Sequence, residues 1–171
     1  FFFNLFLLFF IGLIGSSISL EQNEINNILD QVSQIIPKDI NAISIFSNNI
    51  IIALIMIIPI IGLLFAIITI YQTGMVFAAM ASIENLSGTL LYLVTALTPF
   101  FWLEFITYAA NITQGIFIFL ALLKKQIRNE AIRTIIIIAM SFAFLITGSI
   151  IEMFFIISSV SIISNPFVGL G

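Results

Sequence analysis

Apolar residues fall into five long runs along the chain, each at or near the length of a membrane-spanning helix. A spanning helix takes about 20 apolar residues. The runs are also continuous, whereas the strands of a membrane barrel alternate in polarity. The pattern therefore predicts an all-α polytopic transmembrane helical bundle, a single integral membrane domain over residues 1–171. Its expected spans cover about 1–20, 49–71, 74–98, 100–123 and 133–158.

Two of these runs depart from a plain spanning helix. The run 74–98 carries Glu84, Asn85, Ser87 and Gly88 near its middle, which is typical of a turn. We expect a helix broken inside the bundle, with a re-entrant segment as the alternative. The run 1–20 ends near small residues and could be a signal-peptide core, but its length favours a retained helix. Since the chain starts at Phe1 rather than Met, we also expect a segment before it.

The segment 21–48 is the only sizeable stretch between spans that has its own pattern. Apolar residues recur in it at helical spacing, and Pro37 follows where a helix would have to end. This predicts a short amphipathic helix that lies on the bundle or the membrane surface, or else docks a partner. Its apolar positions are Ile25, Ile28, Leu29, Val32, Ile35 and Ile36.

Basic residues are concentrated between the last two runs. Four of the five in the chain occur within residues 124–133, namely Lys124, Lys125, Arg128 and Arg133. Loops rich in Lys and Arg stay in the cytoplasm. The loop 124–132 is therefore predicted to be cytoplasmic, which makes the segment 21–48 and the C-terminus external.

Composition agrees with a lipid environment and removes several kinds of chemistry. Apolar residues make up 61% of the chain and charged ones 8%, with a mean hydropathy of +1.28. The lipid bilayer is thus the expected partner, and the net charge of −3 argues against nucleic acid. The sequence has neither His nor Cys, so we expect no metal, no cofactor and no enzymatic activity of its own. Intramembrane aspartyl proteolysis is disfavoured too, because Asp30 and Asp39 lie outside the runs.

Two carboxylates fall at the same predicted depth. Glu104 precedes Lys124 by 20 residues and Glu152 follows Arg133 by 19, so both lie about 30 Å from the basic loop. Asn49 opens its span at this level. Without a nearby cation the acids cannot both stay ionised, so we expect one to be protonated and to donate to the other or to Asn49. Tyr108 and Asn111 extend this polar cluster inward from Glu104.

The cluster has two interpretations. Ionisable residues inside a membrane commonly handle protons or cations. Alternatively, the two acids reach the outer interface and are solvated there. Small residues indicate close helix packing elsewhere, at Gly62, Gly74 and Gly115.

The order of these residues resembles the stage II sporulation protein M family over about 47–155. Asn49, Gly62 and Gly74 are followed by Pro99, by Glu104 five positions later and by Gly115, and Glu152 resembles a Glu in the family's last helix. The family usually has Leu-Pro-His-Gly where this chain has Thr98-Pro99-Phe100-Phe101, and Asn-Gly where it has Thr73-Gly74. Any role of that His is therefore excluded here.

The resemblance implies a multi-pass protein of the cytoplasmic membrane. It also implies the role that the family has in sporulating bacteria, which is that of a scaffold for partners that remodel the cell wall during engulfment. We therefore expect a non-enzymatic membrane scaffold or assembly protein, as a homodimer or with other membrane subunits. The alternatives are a transporter or channel component that uses the intramembrane carboxylates, and an accessory subunit of a larger membrane enzyme.

Overall fold

The computed structural model describes residues 1–35 and 41–164, and within these ranges it is entirely helical. The all-α prediction is confirmed for this part of the chain. Its seven helices are α1 (Phe2–Ser16), α2 (Gln22–Ile35), α3 (Ala42–Met56), α4 (Ile61–Ile83), α5 (Gly88–Thr95), α6 (Pro99–Leu123) and α7 (Ile127–Ser164).

Side-chain contacts with α6 give the direction of each long helix. Helix α7 is antiparallel to α6, since Gln114 bonds to Thr134 near one end and Leu103 lies against Gly148 near the other. Helix α1 is also antiparallel to α6, because Asn4 bonds to Thr113 and Phe9 stacks on the Trp102 ring. Helix α3 runs with α6, from Asn49 beside Glu104 to its end beside Gly115. Helix α4 then returns in the direction of α1.

The expected single span over 49–71 is wrong, because the helix breaks at Pro59. Helix α3 ends at Met56 and α4 begins at Ile61. Between them Ile60 adopts φ 66° and ψ −57°, and the Ile61 N–H donates to the Pro59 carbonyl at 2.7 Å. This is a γ-turn of the rare type with positive φ, which is strained for a β-branched residue.

The turn between α3 and α4 is apolar and is packed against protein. Residues 57–61 are Ile-Ile-Pro-Ile-Ile, and a Cβ at Gly115 of α6 would lie 2.8 Å from the Ile57 carbonyl oxygen. A Cβ at Gly62 would collide with the Met56 carbonyl. Non-helical backbone is tolerated at membrane depth where protein covers it. The packing of this turn on α6 meets that condition.

Residues 74–98 do not form the single broken span that the sequence predicts, because they are shared between α4 and α5. Helix α4 continues through Gly74 to Ile83, so residues 72–73 form no loop. The chain turns at Glu84–Ser87 as the polar residues there predict, and Asn85 has a positive φ. The next pass inward consists of α5 and α6, which are separated by residues 96–98. Pro99 occupies the first turn of α6, where its missing N–H has no intrahelical acceptor to lose.

Close contact between α1 and α4 depends on glycine. A Cβ at Gly74 would collide with the Gly12 carbonyl and would lie 2.9 Å from the Gly15 Cα. Small residues allow helix backbones to approach this closely in a membrane. Beside this crossing, buried Tyr92 of α5 donates its hydroxyl to the Phe9 carbonyl at 3.0 Å. Its ring packs against Phe9, Phe77 and Phe101.

Helix α2 is the predicted amphipathic helix. Ile25 is buried, Ile28, Leu29 and Val32 are half-buried, and the polar positions between them are exposed. The helix packs on α4, which supports the interpretation that it covers the bundle. Pro37, expected to end it, lies outside the described residues.

Three of the described helices are long and apolar enough to cross a bilayer. They are Ile61–Ile83, Pro99–Leu123 and the Glu130–Ser158 part of α7. Helices α1 and α3 are apolar but have only 15 residues each, so the expected span over 1–20 is shorter as a helix. The protein is a membrane protein with a helical bundle.

Candidate functional site

The carboxylate of Glu104 points from α6 toward α3. Because α6 begins at Pro99, Glu104 lies in its second turn, where it is half-buried. The Asn49 side-chain amide of α3 donates a hydrogen bond to Glu104 Oε1. Asn49 Oδ1 in turn accepts from Asn48 Nδ2 at 3.3 Å. A polar side chain from each of two helices is thus used to join them.

Glu152 and Tyr108 lie near the same carboxylate. Glu152 of α7 lies one turn before Phe155, whose ring packs against Phe100 in the first turn of α6 at 6.0 Å, and Tyr108 follows Glu104 by one turn of α6. Only 4% of Tyr108 is exposed, and its hydroxyl makes no hydrogen bond with the described residues. Nor does any described residue donate to the Glu152 carboxylate. The structure therefore brings Asn49, Glu104, Tyr108 and Glu152 together between α3, α6 and α7.

Asn111 lies deeper in the bundle than these four residues. It follows Glu104 by seven positions, about 10 Å along the helix. Its Nδ2 donates to the Thr107 carbonyl at 2.9 Å and to Ser141 Oγ of α7 at 2.8 Å. Asn111 is fully buried, and its Oδ1 has no partner among the described residues. An unsatisfied buried polar group costs about 1–3 kcal/mol.

A second polar junction lies at the opposite end of α6 and α7. Buried Gln114 donates from Nε2 to Thr134 Oγ1 at 3.0 Å and to Glu130 Oε2 at 3.3 Å. The other carboxylate oxygen of Glu130 accepts from Arg133 at 3.2 Å, the one ion pair within the described ranges. The expectation that 124–132 is a loop missed Glu130, because α7 already begins at Ile127.

We name the line of polar side chains between α6 and α7 the polar seam. It runs from Glu104 and Glu152 past Tyr108 and Asn111, with its partner Ser141, to Gln114 and Glu130. On α6 its members recur at positions 104, 108, 111 and 114, which is the spacing of one helix face. That spacing is the signal in the sequence from which the seam could be found.

The remaining candidate residues lie at the ends and contacts of the bundle. Lys124 and Lys125 follow the end of α6, and Arg128 and Arg133 lie in the first two turns of α7, all of them exposed. Gly62, Gly74 and Gly115 are each positions where a Cβ would press on a neighbouring backbone carbonyl. These glycines belong to packing and not to the seam.

The chemistry open to the seam is that of hydrogen bonds and protons. Within residues 1–35 and 41–164, no three His, Cys, Asp or Glu side chains form a group that could hold a metal ion. Two neighbouring carboxyls in a low dielectric favour sharing a proton over both being charged. The seam can therefore join helices and can hold exchangeable protons.

Comparison of the chain with known protein families, with curated proteins and with solved structures gives no match.

Proposed function

We propose that this chain is a non-enzymatic scaffold or assembly subunit of the cytoplasmic membrane. The observation that supports this proposal is the hydrogen bond from Asn49 to Glu104, in which a candidate acid is used to join α3 to α6. Asn111 with Ser141 and Gln114 with Thr134 join α6 to α7 in the same way. Polar contacts of this kind fix helices in lipid, where burial of apolar surface contributes little.

The proposed orientation follows from charge. Lys124, Lys125, Arg128 and Arg133 would hold the turn between α6 and α7 in the cytoplasm. The chain then makes five passes, through α1, α3, α4, the pair α5 and α6, and α7. In this arrangement the C-terminus and the segment 21–48 with α2 are external.

The resemblance to the stage II sporulation protein M family suggests what such a scaffold would assemble. In that family's setting the partners would be cell-wall-remodelling proteins outside the membrane. The external helix α2 and the external turn at Glu84–Ser87 are the surfaces available to them. A homodimer through the lipid-facing helices fits the same role.

Gentle purification of the full chain from its native membrane tests the proposal. We expect either a homodimer, with a protein mass by light scattering of about twice the 19.0 kDa of one chain, or a stoichiometric complex with external cell-wall proteins. A stable complex with a multi-subunit membrane enzyme would instead favour the accessory-subunit alternative. A monomer that retains no partner after chemical cross-linking in the membrane would contradict the proposal.

A transporter or channel component is the second candidate. One observation favours it: Oδ1 of Asn111, which is fully buried within the seam, has no hydrogen-bond partner among the described residues.

A further inference from the structure

A cleft lies where the turn between α3 and α4 meets α6. It has a volume of about 250 Å³, and the residues around it are all apolar. Ile112 of α6 is buried against it, whereas Ile58, Ile60 and Leu64 on its other side are exposed. The cleft therefore opens to the surroundings of the bundle, which for a membrane protein are lipid.

The cleft lies about one membrane leaflet away from the basic residues that follow α6. Gly115, which lines the cleft, precedes Lys124 by nine residues, about 13 Å along the helix axis. The hydrocarbon core of a bilayer is about 30 Å thick, so one leaflet is about 15 Å. The acyl chain of a lipid whose headgroup lies beside Lys124 therefore reaches the level of the cleft.

An apolar face of α6 connects the cleft to these basic residues. Ile112, Ile116, Phe119 and Leu123 follow one another at intervals of three or four positions, which places them on one side of the helix. The first three line the cleft. The turn between α3 and α4 packs at Gly115, and Leu123 beyond that level is exposed. An acyl chain can therefore follow this face from the end of α6 to the cleft.

The basic residues at the end of this face have no acidic partner in the described part of the chain. Lys124, Lys125 and Arg128 are exposed and form no ion pair within residues 1–35 and 41–164, whereas Arg133 pairs with Glu130 at 3.2 Å. Lysine and arginine side chains close to a membrane surface attract anionic lipid headgroups. The charge at the end of α6 therefore favours an acidic lipid over a zwitterionic one.

We propose that an acidic phospholipid binds between α6 and the turn of α3 and α4. Its headgroup lies beside Lys124 and Lys125, and one acyl chain follows the apolar face of α6 into the cleft. There the chain covers Ile58 and Ile60, the exposed apolar side chains of the turn. This site goes beyond the scaffold proposal and does not depend on the side of the membrane that the basic residues face.

Fluorescence quenching in vesicles tests the site. The full chain is reconstituted into phosphatidylcholine vesicles that contain increasing amounts of phosphatidylglycerol or phosphatidylcholine with brominated acyl chains, which quench tryptophan. Phe119→Trp places a reporter in the cleft. Phe117→Trp is the matched control, because Phe117 is exposed two positions away and does not line the cleft. Trp102, the chain's own tryptophan, is present in both variants.

We expect the cleft reporter to distinguish the two lipids. Half-maximal quenching in Phe119→Trp should need roughly fivefold less brominated phosphatidylglycerol than brominated phosphatidylcholine, the factor that one lysine near an acidic headgroup provides. In Phe117→Trp the two lipids should quench equally. Adding Lys124→Gln and Lys125→Gln to Phe119→Trp should remove the preference, because the headgroup then lacks both lysines.

Three results would overturn the site. Equal quenching of Phe119→Trp by the two lipids would make the cleft an ordinary lipid contact. The same preference in Phe117→Trp would mean that the basic residues attract acidic lipid without the cleft. A cleft reporter that neither lipid quenches would mean that protein, such as a second copy of the chain, covers the cleft.

The unsubstituted chain provides a second measurement if Phe119→Trp does not fold. A ligand that binds only the folded state stabilises it. Phosphatidylglycerol should therefore raise the unfolding temperature of the chain in detergent more than phosphatidylcholine with the same acyl chains does. Equal effects of the two lipids would contradict the proposal.

Discussion

The side-chain amide of Asn49 on α3 bonds to the carboxylate of Glu104 on α6, across 55 positions of the chain. Helix α3 has only 15 residues and is followed at once by the strained turn at Ile60. In lipid the hydrophobic effect does little to hold such a short helix against its neighbours, so specific contacts have to do so. The amide–carboxylate contact fixes the middle of α3, and the packing of Ile57 on Gly115 fixes its end.

The crossing of α1 and α4 should not tolerate a side chain at Gly74. A Cβ there would lie 2.8 Å from the Ser16 nitrogen and would collide with the Gly12 carbonyl, so Gly74→Ala must push the two helices apart. We expect it to lower the free energy of unfolding by about 1–3 kcal/mol. Thermal unfolding in detergent measures this loss.

Gly148→Ala is the matched control for that measurement. A Cβ at Gly148 would meet Leu103 at 3.6 Å, an ordinary contact. Alanine is the better helix former by about 1 kcal/mol, so this variant should be as stable as the original chain or more so. Equal destabilisation by the two substitutions would mean that α1 and α4 do not cross at Gly74.

The turn between α3 and α4 should accept glycine in place of Ile60 but not in place of Ile58. Ile60 has a positive φ, which glycine adopts without strain, so Ile60→Gly should leave stability unchanged or raise it. Ile58 is also partly exposed but has no positive φ. Ile58→Gly should therefore cost about 0.4–1 kcal/mol, because glycine gives the unfolded chain more backbone freedom. Chemical denaturation measures both losses. If Ile60→Gly lowers the free energy of unfolding more than Ile58→Gly does, then Ile60 does not adopt the γ-turn conformation.

Single cysteines test the proposed orientation, because the chain has none of its own. Asn85→Cys, at the turn after α4, should react with an impermeant thiol reagent added to intact cells. Gln126→Cys, between α6 and α7, should react only after the membrane is opened. If Gln126→Cys were labelled in intact cells and Asn85→Cys were not, the chain would have the opposite orientation in the membrane.

The same reagent tests the depth of the hairpin turn. Ile58→Cys should resist labelling from both sides, since residues 57–61 are all apolar and the turn packs on Gly115 of α6. Labelling of Ile58→Cys from the cytoplasmic side as fast as Gln126→Cys would place this turn in water.

The apolar runs predict the class of the fold well and the helix boundaries unevenly. Helix α6 agrees with the predicted 100–123 almost to the residue, because Pro99 and the basic residues after Leu123 mark both of its ends. The break at Pro59 was missed because membrane helices tolerate proline, so hydropathy alone favoured one span over 49–71. What decides the break is tertiary: Gly62 and Gly115 let the turn pack against α4 and α6.

Depth along the helices carried more information about the site than composition did. Counting from the basic loop puts Glu104 and Glu152 at one level, and in the structure Phe155, one turn beyond Glu152, packs against Phe100 near the start of α6. The pattern did not place Glu130, because residues 124–132 contain four charged residues and therefore favour a loop in water. Helix α7 starts at Ile127 and turns Glu130 back toward Gln114. Glu130 can face Gln114 only if it already belongs to a helix, and the sequence alone did not locate the start of α7.

Substitution of Glu104 separates a hydrogen bond from a charge. In Glu104→Gln the amide oxygen still accepts from Asn49, so stability should change little. In Glu104→Ala the Asn49 amide loses its acceptor, and we expect a loss of about 1–3 kcal/mol in the free energy of unfolding. Unchanged stability in both variants would mean that the acid is merely solvated, and equal loss in both would indicate a required negative charge.

The most direct measurement is a double-mutant cycle on Asn49 and Glu104 in detergent, with Asn49→Ala, Glu104→Ala and the double variant. If the two side chains hold α3 to α6, their losses of unfolding free energy should not add, and the coupling should be about 0.6–1.7 kcal/mol, as for hydrogen bonds between membrane helices. Losses that add to within about 0.3 kcal/mol, as at independent sites, would contradict the contact on which this account of the bundle rests.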